Sequence, residues 1–141
     1  MTSSASLELG AAERARLADW AAASYPAEGC GLLLGIREAE RTRVRAVTRA
    51  RNLEGLRAGE RFELDPLDLL RGEERARALG CEVVGIWHSH PDRPPLPSEA
   101  DLRAAWAGWS YLIAAVPGGR AGALRSWRLD GAAFREEELR P

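Results

Sequence analysis

The sequence predicts a mixed α/β fold in which helices cover the faces of a β-sheet. Short apolar runs typical of buried strands alternate with amphipathic segments, in the order helix, strands, helix, strand, helix, strands. The 141-residue chain has 45% apolar and 29% charged residues, as expected of a soluble domain with an ordinary core. No linker or internal repeat divides it, so we expect one domain over residues 1–141.

Three segments are predicted to be helical. Residues 11–25 carry apolar side chains at helical spacing, and Pro26 ends the segment. Residues 65–79 open on an Asp-Pro pair, which suits an N-cap and first turn, and Gly80 follows as a C-terminal stop. The third helix opens on a serine and covers residues 98–109.

The strands are predicted from apolar runs and from alternation of polar and apolar residues. They cover residues 29–36, 42–48, 62–64, 83–87, 111–116, 124–129 and 133–139. Residues 29–36 contain three consecutive leucines between glycines, which is typical of a strand buried on both faces. Residues 42–48 alternate arginine with apolar residues, which favours a half-exposed strand. The polar residues 52–60 are predicted to form a loop.

Charge and composition exclude several classes of function. Twenty basic residues balance 21 acidic ones without any block of like charge, so we expect no nucleic-acid partner. All basic residues are arginines, which excludes a lysine Schiff base and the lysine of a phosphate-binding loop. No apolar run reaches membrane-spanning length and residues 1–10 lack a secretory pattern, so we expect a cytoplasmic protein without a membrane partner.

The chain has two histidines, His88 and His90, at the end of its most apolar predicted strand. Residues i and i+2 of a strand point to the same side, so both imidazoles project together while Trp87 points to the opposite side. Nitrogens about 2.0 to 2.1 Å from a tetrahedral zinc ion are only about 3.3 Å apart. The spacing therefore permits chelation of one ion, although a histidine pair at a strand end needs no metal.

A third ligand would come from the acidic residues that follow, Asp92, Glu99 and Asp101. Asp92 reaches the histidines only if its loop folds back, whereas the side chain of Asp101 points toward the N-terminus of a new helix, so we favour Asp101. Ser98 and Asp101 also form a capping pattern, which is the structural alternative. Two imidazoles and one carboxylate leave a fourth position on zinc for a water molecule, the arrangement of catalytic sites.

The two cysteines, Cys30 and Cys81, are too far apart in sequence for a CxxC redox or zinc motif. Cys30 lies within an apolar strand, where thiols are usually inert core residues. A thiol hydrolase that uses Cys30 and His88 stays open as an alternative. A structural zinc site with two cysteines and two histidines ranks low, because neither cysteine lies close to the histidines in sequence.

The string His88-Ser-His90-Pro, six residues, Ser98, two residues, Asp101 resembles the signature of the JAMM (MPN-plus) metalloproteases at every defined position. Residues 28–35, Glu-Gly-Cys-Gly-Leu-Leu-Leu-Gly, are similar to the other conserved segment of that family. The resemblance implies a three-layer mixed sheet flanked by helices and related to the cytidine-deaminase fold. It implies one zinc ion held by His88, His90 and Asp101. It also implies Glu28 as general acid/base and Ser98 as a donor to the developing oxyanion.

The same resemblance implies a reaction and a partner. The reaction is hydrolysis of an amide bond after the C-terminal Gly-Gly of a ubiquitin-like protein, with zinc-bound water as nucleophile. Resemblance to the small stand-alone bacterial members narrows the partner to a sulfur-carrier protein, including release of cysteine from a carrier–cysteine adduct. An edge strand beside the cleft would pair with the extended tail. A metal-bound interaction module that recognises the same partner without turnover stays open as a further alternative.

Overall fold

The computed structural model describes residues 5–141. Met1–Ser4, which belong to the segment predicted to lack a secretory pattern, lie outside the described residues. The strands are β1 (Ser6–Glu8), β2 (Cys30–Glu38), β3 (Arg41–Val47), β4 (Glu82–Pro91), β5 (Ser110–Val116), β6 (Leu124–Asp130) and β7 (Ala133–Arg140). The helices are α1 (Ala11–Ser24), α2 (Pro66–Ala78) and α3 (Glu99–Ala104), and Pro117–Gly119 form a 3-10 turn. Within residues 5–141, no helix combines the length and apolarity needed to cross a membrane.

The strands form one mixed sheet that closes on itself in the order β1-β3-β2-β4-β5-β6-β7. The closing strand is β1, which pairs in parallel with β3 on one side and with β7 on the other. The β4–β5 pair is also parallel, and the remaining pairs are antiparallel. Sequence analysis missed β1, because three residues are too few to show a period of two.

One face of the sheet is covered by α1, whose Leu17 and Ala21 belong to the larger apolar cluster. Trp87 lies in this cluster and stacks on Trp20 with ring centroids 6.2 Å apart. Its indole N–H donates a hydrogen bond to the carbonyl of Thr48 at 2.8 Å. Trp87 therefore packs in the core, on the side opposite His88 that strand alternation predicts.

The opposite face is covered by α2, where Ala76 packs with Leu32 and Leu34 in a smaller apolar cluster. Gly72 allows the helix to approach this closely, because a Cβ there would lie 2.1 Å from the side chain of Leu32. Leu33, between the two leucines, belongs to the cluster under α1. The strand is therefore buried on both faces, as its run of leucines predicts. The predicted mixed sheet with helices on its faces is confirmed.

The prediction of a short strand over residues 62–64 is wrong. The structure has only an isolated bridge between Leu64 and Asn52. The Asn52 side chain takes the place of a continuous ladder: its amide donates to the carbonyl of Arg61 at 3.3 Å, and its oxygen accepts from the N–H of Glu63 at 3.0 Å. Residues 61–65 therefore bond both to the Asn52 side chain and to the backbone of residues 51–53, without forming a continuous ladder.

The third helix is shorter than the predicted span of residues 98–109 and covers only Glu99–Ala104. Gly108 has a φ of 88°, which an α-helix does not accommodate. The backbone N–H of Trp106 donates to the hydroxyl of Tyr111 at 2.6 Å instead of to a helical carbonyl. The helix therefore ends where Ala105 becomes extended, and Gly108 prevents it from resuming toward residue 109.

Candidate metal centre

Both histidines lie near the carboxyl end of β4, which runs between β2 and β5. His88 is in register with Cys30 of β2, and both imidazoles are 1% exposed. Ser89, between them, turns to the other face and accepts a hydrogen bond from the N–H of Gly29 at 2.7 Å. Strand alternation thus directs the two imidazoles to one side, the side covered by α2 and α3.

Three potential ligand atoms form a nearly equilateral triangle, here called the ligand triangle. The Nε2 atoms of His88 and His90 lie 3.2 Å apart. Oδ2 of Asp101 lies 3.2 Å from the first and 3.3 Å from the second. Two ligands of a tetrahedral zinc ion are separated by about 3.3 Å. The donor set and its spacing therefore fit one zinc ion, with a fourth position left over.

The surroundings of the two imidazoles differ, and those of His90 fix which nitrogen it presents. Nδ1 of His90 lies 2.9 Å from the carbonyl oxygen of Pro94. Because a carbonyl can only accept, Nδ1 carries the proton and the lone pair of the neutral ring lies on Nε2, as in most metal-ligating histidines. The buried Nδ1 of His88 has no hydrogen-bond partner in residues 5–141. Phe62 instead stacks on that ring, with centroids 4.6 Å apart.

Asp101 is held by the start of α3. The Ser98 N–H donates to Oδ2 of Asp101 at 2.8 Å, and the Asp101 N–H donates to Oγ of Ser98 at 3.1 Å. This is a capping box, so the same carboxylate serves the helix end and the ligand triangle. Burial raises the pKa of the Asp101 carboxyl, but its close contacts with the two imidazoles outweigh burial and lower that pKa below the usual range. The carboxyl is therefore ionised.

Glu28 directly precedes β2 and lies beside the histidines; one of its carboxylate oxygens and one nitrogen of each imidazole all lie within 4.8 Å of one another. The residue is 1% exposed. Oε2 accepts a hydrogen bond from Arg93, and Oε1 has no partner among the described residues. Burial raises the pKa of this carboxyl, and the charge of His88 and the Arg93 hydrogen bond offset the rise only in part. Such a carboxylate is suited to proton transfer.

The other acidic ligand candidates lie elsewhere. The carboxylate of Asp92 accepts hydrogen bonds from the Tyr25 hydroxyl at 2.5 Å and from the Gly118 N–H at 2.8 Å. Those bonds, the one from Tyr25 first, lower the pKa of Asp92. Glu99 is exposed on α3. The structure thus brings together Glu28 and the ligand triangle, with Ser98 at its edge, and uses Asp92 to anchor the loop that follows His90.

Cys30 lies buried in β2, next to Glu28 in space. Burial, followed by the charge of the Glu28 carboxylate, raises the pKa of the Cys30 thiol to about 12. Since the thiolate is the nucleophile, a thiol with this pKa is unreactive at neutral pH. Its Sγ makes only long contacts with the carbonyls of Ala50 and Arg51, at 3.9 and 3.7 Å. The environment favours a core residue.

Sequence analysis missed Phe62 and Arg93 as residues of this site. Phe62 stacks on His88, and Arg93 contacts Glu28. Both residues reach the site from segments without regular secondary structure, so no helix or strand pattern places them beside the histidines. The one sequence feature that could have indicated Arg93 is its position in the proline-rich loop directly after His90.

A groove of about 250 Å³ opens beside the ligand triangle. Residues 61–64 form one wall and α3 the other, and the groove is also lined by Ile86, His88 and Tyr111. The backbone of Glu63 bonds to Asn52 and Leu53 on the far side of this wall. Because successive residues of an extended segment turn their backbone groups to opposite sides, those of Phe62 and Leu64 face the groove. They make no hydrogen bond with any residue of the described range 5–141.

The molecule is a closed mixed sheet between helices, with two histidines and an aspartate at one strand-to-helix junction. This arrangement is expected of a JAB/MPN-type domain. The chain belongs to the prokaryotic JAB family, since the family described as prokaryotic homologs of the JAB domain matches residues 11–130. The resemblance to the JAMM proteins and the fold it implies are thereby confirmed.

Relatives are found among characterised proteins and solved structures. Desampylase of Haloferax volcanii is 39% identical over 119 residues, which cover 82% of this chain and 79% of that protein. The probable TtuB-protein conjugate cleaving protease of Thermus thermophilus is 35% identical over 96 residues, 68% of this chain and 61% of that protein. A solution structure from Desulfitobacterium hafniense matches with a TM-score of 0.83 and 30% identity, covering 94% of this chain and 90% of that one.

Proposed function

We propose that this protein is a zinc-dependent cytoplasmic isopeptidase that hydrolyses the amide bond after the C-terminal Gly-Gly of a ubiquitin-like or sulfur-carrier protein. The observation that carries the proposal is the ligand triangle, whose edges of 3.2 to 3.3 Å suit a tetrahedral zinc ion, beside the buried Glu28 carboxylate. The names of the relatives, a desampylase and a conjugate-cleaving protease, support the choice of bond and of partner.

His88, His90 and Asp101 would hold the zinc ion. Zinc bound there would polarise the scissile carbonyl and lower the pKa of a water molecule in its fourth position. Glu28, whose Oε1 is uncommitted, accepts a proton from the attacking water and delivers it to the leaving amine. Ser98 uses a lone pair of Oγ to accept from the Asp101 N–H, so its hydroxyl proton is free to donate to the oxyanion.

The groove beside the ligand triangle suits an extended tail of small residues. Its walls carry the short side chains of Ala100 and Ala104 on α3 and the unpaired backbone groups of Phe62 and Leu64 opposite. A peptide that adds to this edge as a strand would satisfy those backbone groups. Two glycines leave such a strand narrow enough to pass between the walls toward the centre. We therefore place the Gly-Gly tail in this groove.

The test uses the full chain and a ubiquitin-like sulfur carrier joined through its terminal glycine to a lysine side chain or to a free cysteine. We expect one zinc ion per chain and cleavage that stops with a chelator, returns with added zinc and is unaffected by a thiol blocker. Cleavage lost with the thiol blocker alone would instead support Cys30 as nucleophile. Zinc-dependent binding of the conjugate without cleavage would support an interaction module. Either result would overturn the proposed isopeptidase.

The Glu28→Gln variant separates metal binding from proton transfer. We expect it to keep close to one zinc per chain and to lose most activity, because the amide cannot accept a proton from water. Glu60→Gln is the matched control, since the Glu60 side chain is exposed and pairs with Arg57 rather than with the centre. It should cleave at the rate of the unmodified protein. Full activity in Glu28→Gln would remove this residue from the mechanism.

A further inference from the structure

The guanidinium group of Arg93 joins three parts of the molecule. Its Nη2 donates to Oε2 of Glu28 and to the carbonyl of Glu60, the latter at 3.2 Å. Its Nη1 donates to the carbonyl of Gly59 at 2.9 Å. Arg93 itself lies in the loop that connects His90 to α3. One side chain therefore links this loop, residues 59–60 and the acidic residue beside the ligand triangle.

The ion pair between Arg93 and Glu28 bridges the buried centre and the surface. The Glu28 side chain is 1% exposed, whereas that of Arg93 is 31% exposed. In residues 5–141 neither group forms an ion pair with any other side chain. A buried carboxylate that loses its arginine partner is left with a charge that is poorly compensated. The orientation of Glu28 therefore depends on Arg93.

Residues 53–60, here called the 53–60 loop, also contact the backbone of Glu28. The N–H of Glu28 donates to the carbonyl of Ala58 at 2.6 Å. Away from these contacts the loop is open to solvent: the side chain of Leu56 is fully exposed, and the Arg57–Glu60 ion pair lies on the surface. Residues 58–60 of the loop are thus anchored by Glu28 and Arg93, whereas residues 53 and 54 bond to Glu63 and Asn52.

We propose that Arg93 is a positioning residue, which presents the Glu28 carboxylate to the centre only while the 53–60 loop is closed against it. A planar guanidinium can engage a carboxylate and two carbonyls together, which a lysine ammonium on a flexible stem does not reproduce. The inference rests on the proposed function, because it assigns Glu28 the proton transfer described above. The 53–60 loop continues directly into residues 61–64, so a tail that pairs with that wall also holds the loop closed.

The test compares Arg93→Ala and Arg93→Lys with the unmodified holoprotein. We expect both to keep one zinc per chain, since Arg93 donates to none of the three triangle residues. In Arg93→Ala we expect kcat to fall about 10- to 100-fold with KM nearly unchanged, because a misplaced catalytic group costs up to about that factor. Arg93→Lys should recover only part of the loss. Amide hydrogen exchange of residues 58–61 should accelerate in both variants.

Chemical rescue gives a readout that a purely structural role would not produce. Guanidinium ion, added far below denaturing concentrations, should restore part of the activity of Arg93→Ala and none of that of Glu28→Gln. Arg57→Ala is the matched control, because it removes an exposed ion pair from the same loop and leaves the Arg93 contacts intact. It should retain the kcat and zinc content of the unmodified protein.

Two results would overturn the inference. The first is an Arg93→Ala variant with unchanged kcat and unchanged exchange of residues 58–61, and the second is loss of zinc from that variant, which would indicate a structural role at the centre. Failure of the proposed function is seen separately, as absence of cleavage by the unmodified protein. Hydrogen exchange and zinc content of Arg93→Ala then still decide whether Arg93 anchors the loop.

Discussion

The two faces of the sheet bury different kinds of residue. Under α1 lies the larger apolar cluster, in which Leu17 and Trp87 are almost completely buried. Under α2 lies a smaller apolar cluster, and the same face carries the buried ligand triangle and Glu28 near the end of β4. Strand β4 contributes to both, since Trp87 points to the first face and its histidine neighbours to the second. Alternation along one strand therefore separates the residues that stabilise the fold from those that form the candidate site.

The polar face is stable because its buried groups are paired. Oδ2 of Asp101 receives the N–H of Ser98, Nδ1 of His90 donates to a backbone carbonyl, and Glu28 pairs with Arg93. Without partners such groups would each cost several kcal/mol to bury, by an estimate of about 2 to 7 kcal/mol for a neutral polar group. In residues 5–141 the buried side-chain atoms that lack a partner are Oε1 of Glu28 and Nδ1 of His88, and both lie at the centre itself. Within that range, unpaired buried side-chain atoms are thus confined to the site.

The largest effect on activity is expected from Asp101→Ala, which removes one of the three potential metal ligands from the polar face. Only two imidazoles remain to hold the metal, so we expect loss of stoichiometric zinc and of all measurable cleavage. Metal analysis of the purified variant after incubation with excess zinc provides the measurement. Glu99→Ala, which removes an exposed carboxylate from the same helix, should bind zinc normally. One zinc per chain in Asp101→Ala would show that the ligand triangle is not the metal site.

The parts of the site that could be predicted from sequence are the local ones. His88 and His90 share a face because of strand alternation, and Asp101 returns toward Ser98 because of the helix start. These relations span only a few residues, so they hold even where the rest of the fold is predicted wrongly. The identification of Glu28 required the family resemblance, since nothing local distinguishes it among 21 acidic residues.

The parts that could not be predicted depend on contacts between distant segments. Strand β1 is defined by its pairing with β3 and β7, not by a pattern of its own. Residues 62–64 alternate like a strand, yet they form only one isolated bridge, which the Asn52 side chain supplements. Arg93 acquires its role only when two loops meet. In each case the missing information is tertiary, and propensity does not supply it.

A smaller effect is expected from Ser98→Ala, which removes both a helix cap and a candidate oxyanion donor. Loss of one such donor typically lowers kcat by about 100- to 1000-fold, and loss of the cap costs about 1 kcal/mol of stability. The backbone N–H that donates to Asp101 survives the substitution, so zinc should remain bound. Single-turnover cleavage and zinc content are the measurements.

Ser98→Gly and Ser98→Thr distinguish the two roles of this side chain. Glycine at an N-cap costs only a few tenths of a kcal/mol relative to serine and brings no side-chain donor, whereas threonine supplies both functions. We expect the threonine variant to be the more active by a wide margin. Equal activity of Ser98→Gly and the unmodified protein would leave Ser98 with the cap alone.

The smallest effect on catalysis is expected from Leu17→Ala, because Leu17 lies on α1, which covers the apolar face of the sheet. The side chain is 1% exposed in the larger apolar cluster, so truncation should lower the free energy of unfolding by about 2 to 5 kcal/mol. Urea unfolding with an unchanged m-value measures this loss. Zinc content and kcat, measured where the variant is still folded, should match those of the unmodified protein.

Leu17→Ala also tests how completely β4 separates the two faces. Leu17 and Trp87 belong to one cluster, and the backbone of Trp87 leads directly into His88. If the cavity left by Leu17 is absorbed by side chains under α1, the histidines keep their spacing and kcat does not change. If β4 shifts instead, the ligand triangle opens, and zinc affinity falls together with stability. A drop in kcat with zinc still bound would point to Glu28, which directly precedes β2, the neighbour of β4. It would show that packing under α1 sets the geometry of proton transfer.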